Sequence, residues 1–187
     1  MNIEKLIQVV NYLLKKYDYS LNYTKLIKLL YLADRECIKQ SGWNITSDSY
    51  KNFQYGPVLT NLYTLIKGKH DILRFQSKWD SCFLTDSNTL KAKTQIIPEG
   101  ELSDFEKEIL DDVDSQYHSL SYSKMIDIVH DKKICPEWSA PIGYPTELTK
   151  QDIMRAIGFD ETTINYFLQE EDIYSNEQKI FDQLEII

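Results

Sequence analysis

Positive charge is what this sequence has little of. Lysine and arginine together number 21 against 29 aspartates and glutamates, a formal net charge of -8. Arginine is confined to Arg35, Arg74 and Arg155. Such a balance disfavours nucleic acid and anionic lipid as partners, since both need a positive footprint. Long apolar runs are missing too. None approaches the roughly 20 residues of a membrane span, and Met1-Asn2-Ile3-Glu4-Lys5 shows no basic stretch leading into an apolar one, so no secretory signal is expected. Cysteine is scarce. Cys37, Cys82 and Cys135 are odd in number and widely spaced, the usage of a reducing compartment, which places the chain in the cytoplasm. Neither these three nor His70, His118 and His130 fall at zinc-type spacings, and His130 and Cys135, five apart, are too little to build on. Glycine does not cluster. Gly56-Pro57 is not followed by the Lys and Ser or Thr of a phosphate-cradling loop. No catalytic residue, metal or cofactor is expected.

What is present is enough for one domain: 187 residues, 42% of them hydrophobic. The pattern is mainly helical. Asn2 caps a first helix whose stripe is Ile3, Leu6, Ile7, Val10, Leu13, Leu14 and Tyr17. Asn22 or Thr24 caps a second, with a broader apolar face that marks it as central, and Gly42 stops it. Residues 43–55 are irregular, ending in a short extended stretch at 52–54. Pro57 suits the first position of a third helix carrying Val58, Leu59, Leu62, Tyr63 and Ile66, and Gly68 ends it.

Residues 73–97 read as a β-hairpin about Asp86-Ser87-Asn88. Leu73, Phe75, Ser77 and Trp79 line one strand; Leu90, Ala92, Thr94 and Ile96 line the other. Paired with the stretch before Tyr55, the hairpin makes one small antiparallel sheet between helices three and four. Ser103 and Glu106 form a capping box, and Ser121 and Thr149 cap later helices. Residues 136–148 form a loop anchored by Trp138. Asp160 caps a helix holding Ile164, Phe167 and Leu168, and a thin last helix is expected near 176–185. The fold class is therefore mainly α (α+β): a single helical domain over 1–168 with a small inserted antiparallel sheet, and an acidic C-terminal extension with a peripheral helix over 169–187.

Two segments carry a resemblance. Lys25-Leu26-Ile27-Lys28-Leu29-Leu30-Tyr31-Leu32-Ala33-Asp34-Arg35 is followed about twenty residues on by Phe53-Gln54-Tyr55-Gly56-Pro57-Val58 and then Leu62-Tyr63. Leu102-Ser103, Leu120-Ser121, His130 and Pro136-Glu137-Trp138 follow in order. This resembles the Panacea domain, also called the SocA-like antitoxin domain, from about residue 3 to about residue 168. The resemblance implies a cytoplasmic bacterial or phage-associated antitoxin of a two-gene toxin–antitoxin system. Such a protein neutralises a toxin, encoded by an adjacent gene, by direct stoichiometric binding. It is not an enzyme and uses no cofactor. One member is similar in role to a protease adaptor that delivers its toxin to a AAA+ protease. The family pairs with unrelated toxins, so the toxin's identity does not follow.

Candidate partner-binding residues are Tyr31, Arg35, Tyr50, Phe53, Tyr55, Gly56, Pro57, Trp138 and Tyr144, with Tyr63 and Tyr166 as further exposed-aromatic candidates. Aromatics with a polar tip bury area at low entropy cost, and the chain holds 13 tyrosines. The Tyr31, Asp34, Arg35 cluster has a second reading: Tyr31 packs beneath the sheet, and Asp34 or Arg35 holds a loop by a charge-assisted hydrogen bond. Asp111-Asp112-Asp114 and Glu170-Glu171-Asp172 read as solvated acidic faces that would steer a basic toxin. Two other roles stay open: the adaptor, and an enzyme with an unrecognised site. A DNA-binding autoregulator lacks a basic recognition helix, since Lys25, Lys28 and Arg35 are offset by Asp34 and Glu36. A homodimer is compatible with the same surface.

Overall fold

The computed structural model of the chain describes residues 2–68, 73–94 and 97–184. His70, Ile96 and the final residue of the expected last helix lie outside them. Helix α1 (Ile3–Lys15) is capped by Asn2, whose side chain accepts from the Lys5 N–H. A short strand β1 (Ser20–Asn22) leads into α2 (Tyr23–Ser41), where Asn22 accepts from the N–H groups of Thr24 and Lys25. Helix α2 is buried around most of its circumference, from Leu26 through Ile38. It packs against the helices at Thr60–Lys67, Asp104–Tyr117, Tyr122–His130 and Lys150–Ala156 and against the strand at Gly56–Leu59. Gly42 ends it at φ +79°, and Phe167 lies where a Cβ at that position would fall. The end of this helix therefore requires glycine twice over, for its conformation and for its missing side chain.

The sheet content differs from the single inserted sheet expected. Strands β2 (Tyr50–Phe53) and β3 (Gly56–Leu59) form a hairpin, and β6 (Thr146–Leu148) adds to the other side of β2. Strands β4 (Phe83–Asp86) and β5 (Thr89–Ala92) form the hairpin expected about Ser87-Asn88, but its partner is β1, through Ser20 to Asn22. Among the described residues there are thus two three-stranded antiparallel sheets, β3-β2-β6 and β1-β5-β4. Part of the expected 136–148 loop is strand.

Pro57 belongs to β3, opposite Asn52, and not to a helix start. A strand tolerates proline at an edge, where no ladder N–H is needed, and β3 is an edge. Helix α3 (Thr60–Lys67) begins after it with Leu59 at the cap position, which has no side-chain bond to offer. The cap comes from a distant residue: Asp48 accepts from the N–H groups of Asn61 and Leu62, both at 2.9 Å.

Residues expected as the first hairpin strand form helix α4 (Leu73–Cys82). Phe75, Trp79 and Cys82 also recur at i, i+4 and i+7, so the segment carried both periods. Burying Trp79 against Phe83, ring centroids 4.5 Å apart, decides for the helix. Helices α5 (Asp104–Tyr117), α6 (Tyr122–His130) and α7 (Lys150–Ala156) start at Ser103, Ser121 and Thr149 as their caps require. Helix α8 (Glu161–Leu184) runs unbroken where two helices were expected. Lys150 bonds its Glu171 at 2.8 Å, and Trp43 meets Tyr174 edge-on. No described helix is long and apolar enough to cross a membrane.

Gly56, at φ +100°, closes the Gln54-Tyr55 turn, and a Cβ there would meet Val129 at 2.5 Å. Gly56→Ala is therefore expected to cost at least about 2 kcal/mol, seen as a Tm lower by about 4–8 °C. Gly100→Ala, with nothing within 4 Å, serves as the neutral control in the same thermal scan.

Candidate functional site

Helix α2 turns its motif residues inward. Lys28, Tyr31 and Arg35 fall on one face at i, i+3 and i+7. The Lys28 ammonium donates to the Pro57 carbonyl at 2.7 Å. The Tyr31 hydroxyl and the Arg35 Nε both donate to Oε1 of Glu137, at 2.6 and 2.8 Å, and that carboxylate is fully buried. Next along the chain, the Trp138 indole N–H donates to the Phe53 carbonyl at 3.1 Å, and its ring stacks on His130 at 3.8 Å. Lys132 reaches the Trp138 carbonyl. The segment after α6 is thereby clamped to both α2 and the β2–β3 hairpin.

Asp34 works on the neighbouring face. It accepts the N–H groups of Ile45 and Thr46, each at 2.9 Å, the Thr46 hydroxyl at 2.5 Å and the Tyr50 hydroxyl at 2.9 Å. Ile45 and Thr46, in the irregular stretch between α2 and β2, are held by this carboxylate. Burial pushes its carboxyl up to about 6, against the pull of those donors. Asn44 donates to Tyr50 in turn, and Tyr31 meets Tyr50 edge-on. Tyr31 and Tyr50 are buried, as are Gly56 and Pro57, and Trp138 is nearly so. Arg35 and Phe53 are half-buried. Of the nine candidates, Tyr55 and Tyr144 stand out, 64% and 88% exposed. The cluster at Tyr31, Asp34 and Arg35 thus does the loop-holding of its second reading.

A cleft of about 520 Å³ opens beside this lock. Helix α2 contributes Ile27 and Lys28, the β2–β3 hairpin Phe53, Tyr55 and Val58, α3 Tyr63, and α6 Tyr122 and Ile126; Asn22, Tyr23 and Asn88 close one end. The sequence reading anticipated Phe53, Tyr55 and Tyr63 as interface candidates but missed Tyr23 and Tyr122. Periodicity hid Tyr122: it stands at i to Met125 and Val129 at i+3 and i+7, which places it on the buried stripe, yet at the first turn of its helix it is 51% exposed. Tyr144 lies elsewhere, beside Ile142 on a loop framed by Pro141 and Pro145.

Burial pushes the thiols of Cys37 and Cys135 up to about 11 and about 12, so neither is a thiolate near neutrality. Among the described residues no group of three His, Cys, Asp or Glu side chains could hold a metal ion. A family model described as antitoxin SocA-like, Panacea domain, matches residues 26–139, more than half of the chain. That span contains the whole lock, from Lys28 to Trp138. No curated protein and no solved structure matches the chain.

Two expectations follow from the lock. Asp34→Asn sets an amide donor against donors, and leaving buried groups unpaired costs about 1–3 kcal/mol each, so a Tm several degrees lower is expected by calorimetry. Lys28 behaves differently. Burial holds its ammonium down to about 7 from 10.5. Between those values the folded chain binds fewer protons than the unfolded one, so stability climbs with pH, by up to about 1.4 kcal/mol per unit. Lys28→Met removes that climb. Urea unfolding at neutral and mildly alkaline pH should show the wild-type protein gaining on the variant as pH rises; a constant difference would mean an unperturbed lysine.

Proposed function

We propose, from the premise that the chain belongs to the SocA-like Panacea antitoxin family, that it neutralises a cognate protein toxin by binding it one for one, without catalysis. The observation that carries this reading is where the motif's chemistry goes. The hydrogen bonds that Lys28, Tyr31, Asp34, Arg35 and Glu137 make among the described residues all go to other parts of the same chain. The motif builds a rigid frame, and the frame presents aromatic side chains at Tyr55, Tyr122 and Tyr144 to solvent. Rigid, amphipathic aromatics at a surface are the common anchors of protein interfaces. The net charge of -8 favours a basic partner by long-range steering, which raises the association rate at low salt.

The partner is taken to be encoded beside this chain, and its working surface to be covered or distorted in the complex. Residues 169–187 are taken as an extension to the antitoxin domain. They include the exposed Ile173 and Tyr174 on α8, which favours a second use as a tether to a AAA+ protease. Removing them would then abolish toxin degradation and leave binding intact.

Co-expression tests the main reading. The neighbouring gene product should arrest growth alone, be harmless with this chain, and co-purify with it near one to one. Titration should show neutralisation ending at equimolar ratio. Neutralisation at far lower ratios, or without a complex, would point to an enzyme and overturn the reading.

A further inference from the structure

The cleft beside the lock has an electrostatic character opposite to that of the rest of the chain. On a protein of net charge -8, none of the described residues lining it is acidic. Lys28, which lines it, is 2% exposed. Among the described residues its only hydrogen-bond partner is the Pro57 carbonyl, and it forms no ion pair. A buried ammonium without a counter-charge is costly. At the cleft's edge the Lys67 ammonium lies 4.4 Å from the Tyr23 ring centroid and bonds the Tyr23 hydroxyl, with no ion pair among the described residues. The walls are rings: Phe53, Tyr55, Tyr63 and Tyr122, with Phe53 and Tyr63 at 5.4 Å.

A buried lysine with no ion pair among the described residues, a second lysine at the edge and aromatic walls suit a group that is both negative and apolar. We infer that this cleft receives a segment of the partner protein bearing a carboxylate next to an aromatic or aliphatic side chain. The carboxylate is drawn toward Lys28 and Lys67, and the apolar neighbour packs between Tyr55 and Tyr122. A volume of about 520 Å³ suits two or three side chains rather than a whole helix. Charge complementarity selects the occupant: a basic or purely polar segment would leave Lys28 unpaired. A carboxylate arriving there would also restore the full charge that burial has weakened, so binding would be accompanied by proton uptake.

This inference rests on the toxin-binding reading, and the test separates the two. The neighbouring gene product is titrated by calorimetry into the wild-type chain and into Tyr55→Ala, Tyr122→Glu and Lys28→Met, with Tyr144→Ala as a variant outside the cleft. Loss of affinity of about tenfold or more in each of the first three, with the greatest loss in Tyr122→Glu, is expected. Full binding by all of them overturns the cleft while leaving the antitoxin reading in place. Tyr55 and Tyr122 are exposed, so their variants keep the test valid should Lys28→Met fold poorly.

If the gene product does not bind the wild-type chain at all, the antitoxin reading fails. The cleft is then judged by NMR titration with a capped phenylalanine–glutamate–leucine peptide against its glutamine counterpart. Shifts centred on Tyr55, Tyr63, Tyr122 and Ile126 with a several-fold preference for the glutamate peptide support it. No preference, or shifts with adenosine monophosphate alone, which would mark a small-molecule site, overturns it.

Discussion

The structure depends on a carboxylate that never reaches water. Asp34 sits in the middle of the central helix and gathers two backbone N–H groups and two hydroxyls from the chain that follows. Without those acceptors, the residues between α2 and β2 would carry unpaired donors into the core, each at a cost comparable to a lost hydrogen bond. With them, an irregular segment is fixed as firmly as a helix. The same segment then delivers Asp48 to the start of α3, where the local sequence offers only Leu59. One buried anion thus sets the path of the chain, and a second, dependent on that path, starts the next helix.

Lys28 and Glu137 extend the arrangement to the other side of α2. A lysine that holds a proline carbonyl and a glutamate that holds a tyrosine and an arginine bind the β2–β3 hairpin and the segment after α6 to one helix. All three polar centres lie on the span matched by the SocA-like antitoxin family. Their bonds are internal to the chain. The motif specifies a frame, and a frame leaves the chemistry of its exposed edges free to change.

How much was legible differs by element. The caps at Asn2, Asn22, Ser103, Ser121 and Thr149 were readable because a capping side chain bonds a backbone N–H two or three residues away. Gly42 and the Ser87-Asn88 turn were readable for the same local reason. The helix at Leu73–Cys82 was not, because Phe75, Ser77 and Trp79 satisfy a two-residue period while Phe75, Trp79 and Cys82 satisfy a helical one. Pro57 fits a helix start and an edge strand equally, and only its pairing with Asn52 distinguishes them. In the candidate site, Phe53 and Tyr55 were visible next to the motif, whereas Tyr23 and Tyr122 were brought to the same cleft from α2 and α6.

The sequence by itself determined the helical class, the position of most helix starts and the family to which the chain belongs. Those properties live in periodicity, in side-chain-to-backbone bonds of short reach, and in the identities of a few motif residues. The tertiary structure alone decided that there are two sheets and which strands share them. It also decided that Asp48 caps a helix more than ten residues away, and that five rings and a buried lysine face one cleft. Each of these joins groups distant along the chain, and such pairings are chosen by burial and by hydrogen-bond satisfaction over the whole fold. No short window of sequence contains that balance.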